Sequence, residues 1–363
     1  MNPLSSGYCQ NAYPRLGDGW VAPLHMRNIC EARFAVLGLA WVCPVWYKSN
    51  AYYHERYGVA KPMAFEILIE RVRVGDELEH EQFTELSDLS PSVAHSLVDA
   101  LATLEAEKRR EFTLQLISTA NDDVSMDFNQ VFIALIRDAD YIIRSLAISG
   151  LWECERSSLV GDFIAIIGDD SSDTVRISAA IALGRFVMLA ANGKLDNTYT
   201  ERLELALMDA MDHSDLFDDL WRHCLEAVAP LSAEWITAAI KQALVSEEYL
   251  LRISGLQAVS RSAEEAWLPW ILGHLKDPEN SVRAKAAEAC GELGSDEAVL
   301  YLLPLVHDES TEVRLTALKS LAAIGGDFVY KILLEQQDSE DEVVAEFAKR
   351  VLNGEEFEED TML

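Results

Sequence analysis

Two stretches near the C-terminus, DPENSVRAKAAEACGELG (277–294) and DESTEVRLTALKSLAAIG (308–325), set out apolar and polar residues in the same order. Counted from the Arg of each V-R step, apolar residues stand one position before it and three, four and seven after it. Those four positions share one face of a 3.6-residue helix. The columns recur around Arg144, Arg176, Arg222, Arg252, Arg283 and Arg314, at spacings of 32, 46, 30, 31 and 31 residues, and 30 more reach Val344. The position before the Arg holds Ile143, Val175, Trp221, Leu251, Val282, Val313 and Val343. The position seven after holds Leu151, Leu183, Ala229, Val259, Cys290, Leu321 and Val351. The long spacing accommodates ANGKLDNTYT (191–200), a run of loop-forming residues.

A second apolar helix precedes each of these, as in AVLYLLPLVHD (298–308), so each period predicts a helical hairpin of about thirty residues. Asp and Ser crowd the turns, where they accept hydrogen bonds from exposed N–H groups and suit the positive end of the next helix. Gly294 and Gly325 stop helices where the chain must reach positive φ. Small residues eight after the Arg (Gly184, Ser260, Gly291 and Ala322) let neighbouring hairpins approach closely. One hairpin has too little core to stand alone, and stacking buries the shared face. The expected architecture is all-α, a right-handed α-solenoid of seven to eight stacked hairpins.

The Asp–Arg pairs six apart, Asp138/Arg144, Asp170/Arg176, Asp277/Arg283 and Asp308/Arg314, carry a resemblance to the HEAT repeat family over about 130–353. More narrowly, the pattern resembles the short bacterial type first described in phycobilisome lyase-like proteins. The resemblance implies a ladder formed by these pairs between successive hairpins. Leu216 and Ser246 stand where two of the Asp residues are due, which predicts an interruption in the middle units. Val344 in place of an Arg suits a terminal unit.

The ends of the chain differ from the array. Residues 1–62 hold five of the ten prolines, six of the eleven tyrosines and three of the six cysteines, and carry a charge of +3. Their apolar run FAVLGLAWVCPVWY (34–47) is too short to span a bilayer and is broken by Pro44. No A-x-A cleavage site follows it, so a signal peptide is disfavoured. This segment reads as a leader without a stable fold of its own. Residues 63–129 read as degenerate N-terminal helices that cap the solenoid, 130–353 as the repeat array, and 354–363 as a solvated acidic tail.

Charge and cysteine usage narrow the function. The chain carries 30 basic and 61 acidic residues, a net charge of −31. Nucleic-acid affinity comes mostly from Lys and Arg on phosphates, and anionic membranes attract the same residues, so both partners are disfavoured. The cysteines form no C-x-x-C, and Cys154, Cys224 and Cys290 sit in apolar helical pattern, which fits a reducing cytoplasm.

Candidate chemistry is sparse. Some proteins of this fold bind iron through His-Glu dipeptides in several repeats, but here His54-Glu55 and His80-Glu81 both lie outside the repeats. The segment 209–224, with Asp212, His213, Asp215, Asp218, Asp219 and His223, has the composition of a divalent-metal site, but it reads better as an inter-helix turn rich in capping acids, and no metal is expected. Trp152, Trp221 and Trp267 sit in the helical pattern and are expected in the core. No catalytic set and no cofactor is expected.

What remains is a surface. Second helices are expected to line the concave side, and their outward positions are apolar in the central units: Ile177, Ile181, Leu220, Leu250 and Ile253. These are the candidate partner-binding residues. The expected function is therefore a non-catalytic scaffold or adaptor for protein partners. The alternatives are a bilin lyase or isomerase holding a tetrapyrrole, and a structural subunit of a larger complex.

Overall fold

The computed structural model describes residues 65–354 apart from 75, 77, 216 and 217. The segment 1–62, with Cys9, Cys30, Cys43 and His54, and the acidic tail beyond Gly354 lie outside the described residues. Among the described residues there are eighteen α-helices and no strand. Two helices, α1 (Phe65–Val74) and α2 (His80–Leu86), lead into eight successive helix pairs. α3 (Pro91–Leu101) is followed by α4 (Ala106–Asp122), α5 (Asn129–Leu135) by α6 (Tyr141–Gly150), and α7 (Leu159–Asp169) by α8 (Asp173–Ala191). Next come α9 (Asn197–Asp212) with α10 (Asp219–Val228), and α11 (Glu234–Leu244) with α12 (Tyr249–Ser262). The last three pairs are α13 (Leu268–His274) with α14 (Asn280–Leu293), α15 (Val299–Leu302) with α16 (Thr311–Ile324), and α17 (Asp327–Gln336) with α18 (Glu342–Leu352).

The second helix of each pair stacks on the second helix of the next in an unbroken row from α4 to α18. First helices form the other layer of this α-solenoid, with α3 packed on α5 and α7 on α9. Hydrophobic periodicity explains the row. Val282, Ala286, Ala287 and Cys290 are fully buried, as are Val313, Ala317, Leu318 and Leu321 one repeat later. The array also begins before residue 130, because α4 buries Phe112, Thr113 and Leu116 three, four and seven positions after Arg109. At the far end the columns mix: Val344, in the Arg column, is fully buried and Val343 is 38% exposed, while Phe347 and Ala348 stay buried three and four positions later.

Glycine governs how closely the second helices approach. A Cβ on Gly291 would lie 2.8 Å from Cα of Ser320, and one on Gly184 would lie 3.2 Å from Cα of Ala227. Helix ends follow the same economy of shape. Gly294 ends α14 at φ +63°, and one repeat earlier the equivalent place at the end of α12 is held by Ala263 at φ +52°. A left-handed conformation costs a residue with a Cβ about 1–2 kcal/mol. Ala263→Gly is therefore expected to stabilise the chain by about 1 kcal/mol, less a few tenths for glycine's freedom in the unfolded state. An unchanged or lower urea midpoint would contradict this.

The tryptophans divide. Trp221 and Trp267 are buried, but Trp152 is 62% exposed, contrary to the sequence expectation. Helix α6 stops at Gly150, whose missing side chain makes room for the Phe132 ring, so Trp152 lies past the helical register that would have turned it inward. Helix α8, at 19 residues, is long and apolar enough to cross a membrane by length and composition. Here its apolar faces pack on α6, α7 and α10.

Candidate protein-interaction surface

Each joint between hairpins is built around one arginine. Arg283 donates from Nε and Nη2 to the two carboxylate oxygens of Asp308, at 2.9 and 2.8 Å. Its Nη1 donates to the carbonyls of Asp277 and Pro278, at 2.9 and 3.2 Å. Arg144 holds Asp170 and Arg252 holds Asp277 in the same two-pronged way. Arg109 does so with Asp138, and Arg314 donates to Asp341. The carboxylate partner is thus the Asp of the following hairpin, which corrects the pairing of residues six apart. The residue six before the Arg supplies a backbone carbonyl instead: Asp138 for Arg144, Ser246 for Arg252, Asp277 for Arg283 and Asp308 for Arg314. Ser246 therefore does not weaken the Arg252 joint, since any residue has a carbonyl. In return, most of these Asp side chains accept the N–H two residues on, closing the turn before the second helix.

The ladder breaks one unit earlier than the sequence suggests. Arg176 makes no bond to an Asp of the following hairpin among the described residues, and the sequence has Leu216 at the matching position; Arg176 donates to the Ile167 carbonyl at 2.8 Å and pairs with Asp173 in its own helix. Arg222 likewise meets Ser246's unit and turns to Asp219 and to the Ser254 hydroxyl at 3.5 Å. A second set of contacts, nine residues after the ladder Arg, was not evident from the apolar columns. Arg185 donates to the carbonyls of Leu151 and Cys154, and Arg261 to that of Glu226, in each case on the preceding second helix or its end. These bonds tie each of these second helices to the C-terminal end of the one before it.

Burial raises the carboxyls of Asp170, Asp277 and Asp308, but bonds from the arginines and backbone N–H groups outweigh it and hold them below the usual carboxylate range. For Asp341 the bond from Arg314 is the main cause of the same lowering. A carboxyl whose folded pKa is depressed stabilises the fold above its unfolded value, near 4, and loses that contribution as pH falls through the folded value. The urea midpoint is therefore expected to drop as the pH falls below about 4. Asp308→Asn should lose less over that fall in pH than wild type; an equal loss would mean the ladder does not titrate.

The five candidate surface residues fall into three groups. Ile181 is 51% exposed and Leu250 41%, Ile177 and Ile253 are half-buried, and Leu220 is core at 2%. Helix α10 turns a broad apolar face inward, burying Leu220, Cys224 and Ala227 along one line beside Trp221, Leu225 and Val228. The result is two apolar patches. One, on α8, joins Ile177, Ile181 and exposed Met188; the other, on α12, joins Tyr249, Leu250 and Ile253. Between them α10 presents His223, 3.4 Å from Glu226. Burial raises the Glu226 carboxyl, but bonds to His223 and Ser254 leave it lowered overall.

The metal-like segment is not gathered. Asp212 and His213 end α9, Asp219 begins α10, and His213 bonds the carbonyl of Asp209. No group of three or more His, Cys, Asp or Glu side chains converges among the described residues. Cys154, Cys224 and Cys290 are free and buried, and burial pushes the Cys224 and Cys290 thiols up to about 12.

Residues 236–310 and 268–353 match the family model for HEAT repeats. That model is of HEAT repeats in general and does not single out the phycobilisome lyase-like subtype. No curated protein matches the sequence. Among solved structures, human deoxyhypusine hydroxylase in complex with glycerol is 16% identical with a TM-score of 0.32, covering 72% of this chain and 96% of that one. Kap121p is 14% identical with a TM-score of 0.39, covering 91% of this chain and 47% of its own. Kap121p bound to Pho4p gives 15%, 0.39, and the same coverage. This chain spans about half the length of Kap121p.

Proposed function

We propose that this chain, whose residues 236–353 are HEAT repeats, is a non-catalytic scaffold that holds protein partners on its second-helix face, in the cytoplasm. The observation that supports this is the pair of apolar patches on α8 and α12. Ile181, Met188, Tyr249 and Leu250 are each at least 37% exposed, and the hairpin between them presents the polar His223 and Glu226. Exposed apolar side chains bounded by polar groups mark interaction sites. The acidic surplus favours protein over nucleic acid or anionic lipid as the partner, and buried free thiols suit a reducing compartment.

The test compares wild type with the Ile181→Ser/Leu250→Ser double variant by crosslinking and mass spectrometry in cell extract. Partners held on this face should be lost or weakened about tenfold or more, with the melting temperature unchanged. An identical crosslinked set in both proteins would sink the reading.

A further inference from the structure

The first-helix layer carries a second surface, on the side of the solenoid away from the patches above. Pro269, Leu300 and Tyr330 recur at intervals of 31 and 30 residues on α13, α15 and α17, each following a buried residue (Leu268, Val299 and Val329). Leu300 is 67% exposed and Tyr330 is 55% exposed, and Tyr301, Phe328 and Leu334 are open to solvent beside them. The short α15 explains part of this. Pro304 gives way to a 3-10 turn over Leu303–His307, and only Val299 and Leu302 of the four helical residues turn inward. Between α13 and α15 lies an open cleft of about 830 Å³, lined by Leu268, Pro269, Leu272 and Tyr301.

Charge identifies the kind of occupant. Glu265, Asp296 and Asp327 repeat at intervals of 31 residues at the entry to the three first helices. Glu265, Asp296 and Glu297 also line the cleft, and none of the three makes an ion pair among the described residues. Lys331 is the single lysine on α13, α15 and α17, and these helices carry no arginine. A second copy of this chain, at a net charge of −31, would bring acid against acid. Lys and Arg set around apolar side chains would instead meet both features at once.

We propose that the cleft between α13 and α15, continued by Leu300 and Tyr330, docks a basic amphipathic segment of a partner protein. Its apolar residues seat against Leu268, Leu272 and Tyr301, and its cations face Glu265, Asp296 and Glu297. The proposal shares with the scaffold reading only the premise that the partner is a protein, and it uses a different face.

The experiment measures fluorescence anisotropy of a labelled Leu/Lys amphipathic helix peptide, and of its Leu/Glu counterpart, with the full chain. The Leu/Lys peptide is expected to bind and the Leu/Glu peptide not to. Leu300→Ser/Tyr330→Ser and Glu265→Lys/Asp296→Lys should each weaken binding about tenfold or more. Ile181→Ser/Leu250→Ser should leave it within about twofold, because that pair lies in the other layer. Should the serine pair lower the melting temperature, the charge-reversal pair decides alone. Equal binding of both peptides, no binding of either, or affinity untouched by the charge reversal would overturn the proposal. Loss of peptide binding in the Ile181/Leu250 variant would overturn it too, while leaving the scaffold reading standing.

Discussion

Leu220→Ala is expected to cost the fold about 2–5 kcal/mol, while Ile181→Ser should change it by no more than about 0.5 kcal/mol. Both residues occupy outward columns of the repeat, so sequence position alone treats them alike. Leu220 is buried to 2% exposure beside Cys224 and Ala227, and deleting its branched end leaves a cavity that packed neighbours cannot refill. Ile181 is 51% exposed and exchanges mostly water contacts. Urea denaturation of each single variant reads the difference directly. Similar midpoints for the two would place Leu220 on the surface and overturn the division of this face into two patches.

The arginine ladder gives the second large effect. Arg252→Ala and Arg283→Ala should each lose about 3 kcal/mol, because each strands a buried Asp carboxylate and leaves two carbonyls without their donor. The side chains involved are only 8–13% exposed, so water does little to compensate. Arg176→Ala should lose about 1 kcal/mol, since its single carboxylate partner is the 79% exposed Asp173. Equilibrium unfolding of the three variants checks the order. If Arg252→Ala proved as mild as Arg176→Ala, the forward pairing would be wrong.

Much of the architecture was legible in the sequence because a repeat tests each position several times over. Val282 and Val313, Ala286 and Ala317, or Cys290 and Leu321 share one environment, and the period shows it. What the period could not convey was direction. An Arg and an Asp six apart on one hairpin look like partners, but a guanidinium at the start of a second helix reaches the turn of the next hairpin and takes only a carbonyl from its own. The missing rungs therefore fall one joint earlier than the spacing of six implies. The surface was harder still. Whether Leu220 faces water depends on how wide a face α10 buries between α8 and α12, which is a property of three helices and not of one column. Arg109 escaped notice because Lys108 stands where its neighbours carry an apolar residue, although Phe112, Thr113 and Leu116 keep the later columns.

The two joints without forward rungs have a mechanical meaning. Arg176 and Arg222 sit at consecutive contacts, α8 on α10 and α10 on α12, while the joints at Arg144 before them and at Arg252, Arg283 and Arg314 after them are clamped. The row is therefore expected to yield first at these two joints, between the clamped blocks on either side, where close packing is not backed by a forward rung. Cys224 lies at these joints and Cys290 inside the C-terminal block, so Cys224 is expected to react with a thiol reagent before Cys290. The patch of Ile177, Ile181 and Met188 rides on one block and the patch of Tyr249, Leu250 and Ile253 on the other. On the scaffold reading, a partner gripping both patches would fix the angle between the two blocks.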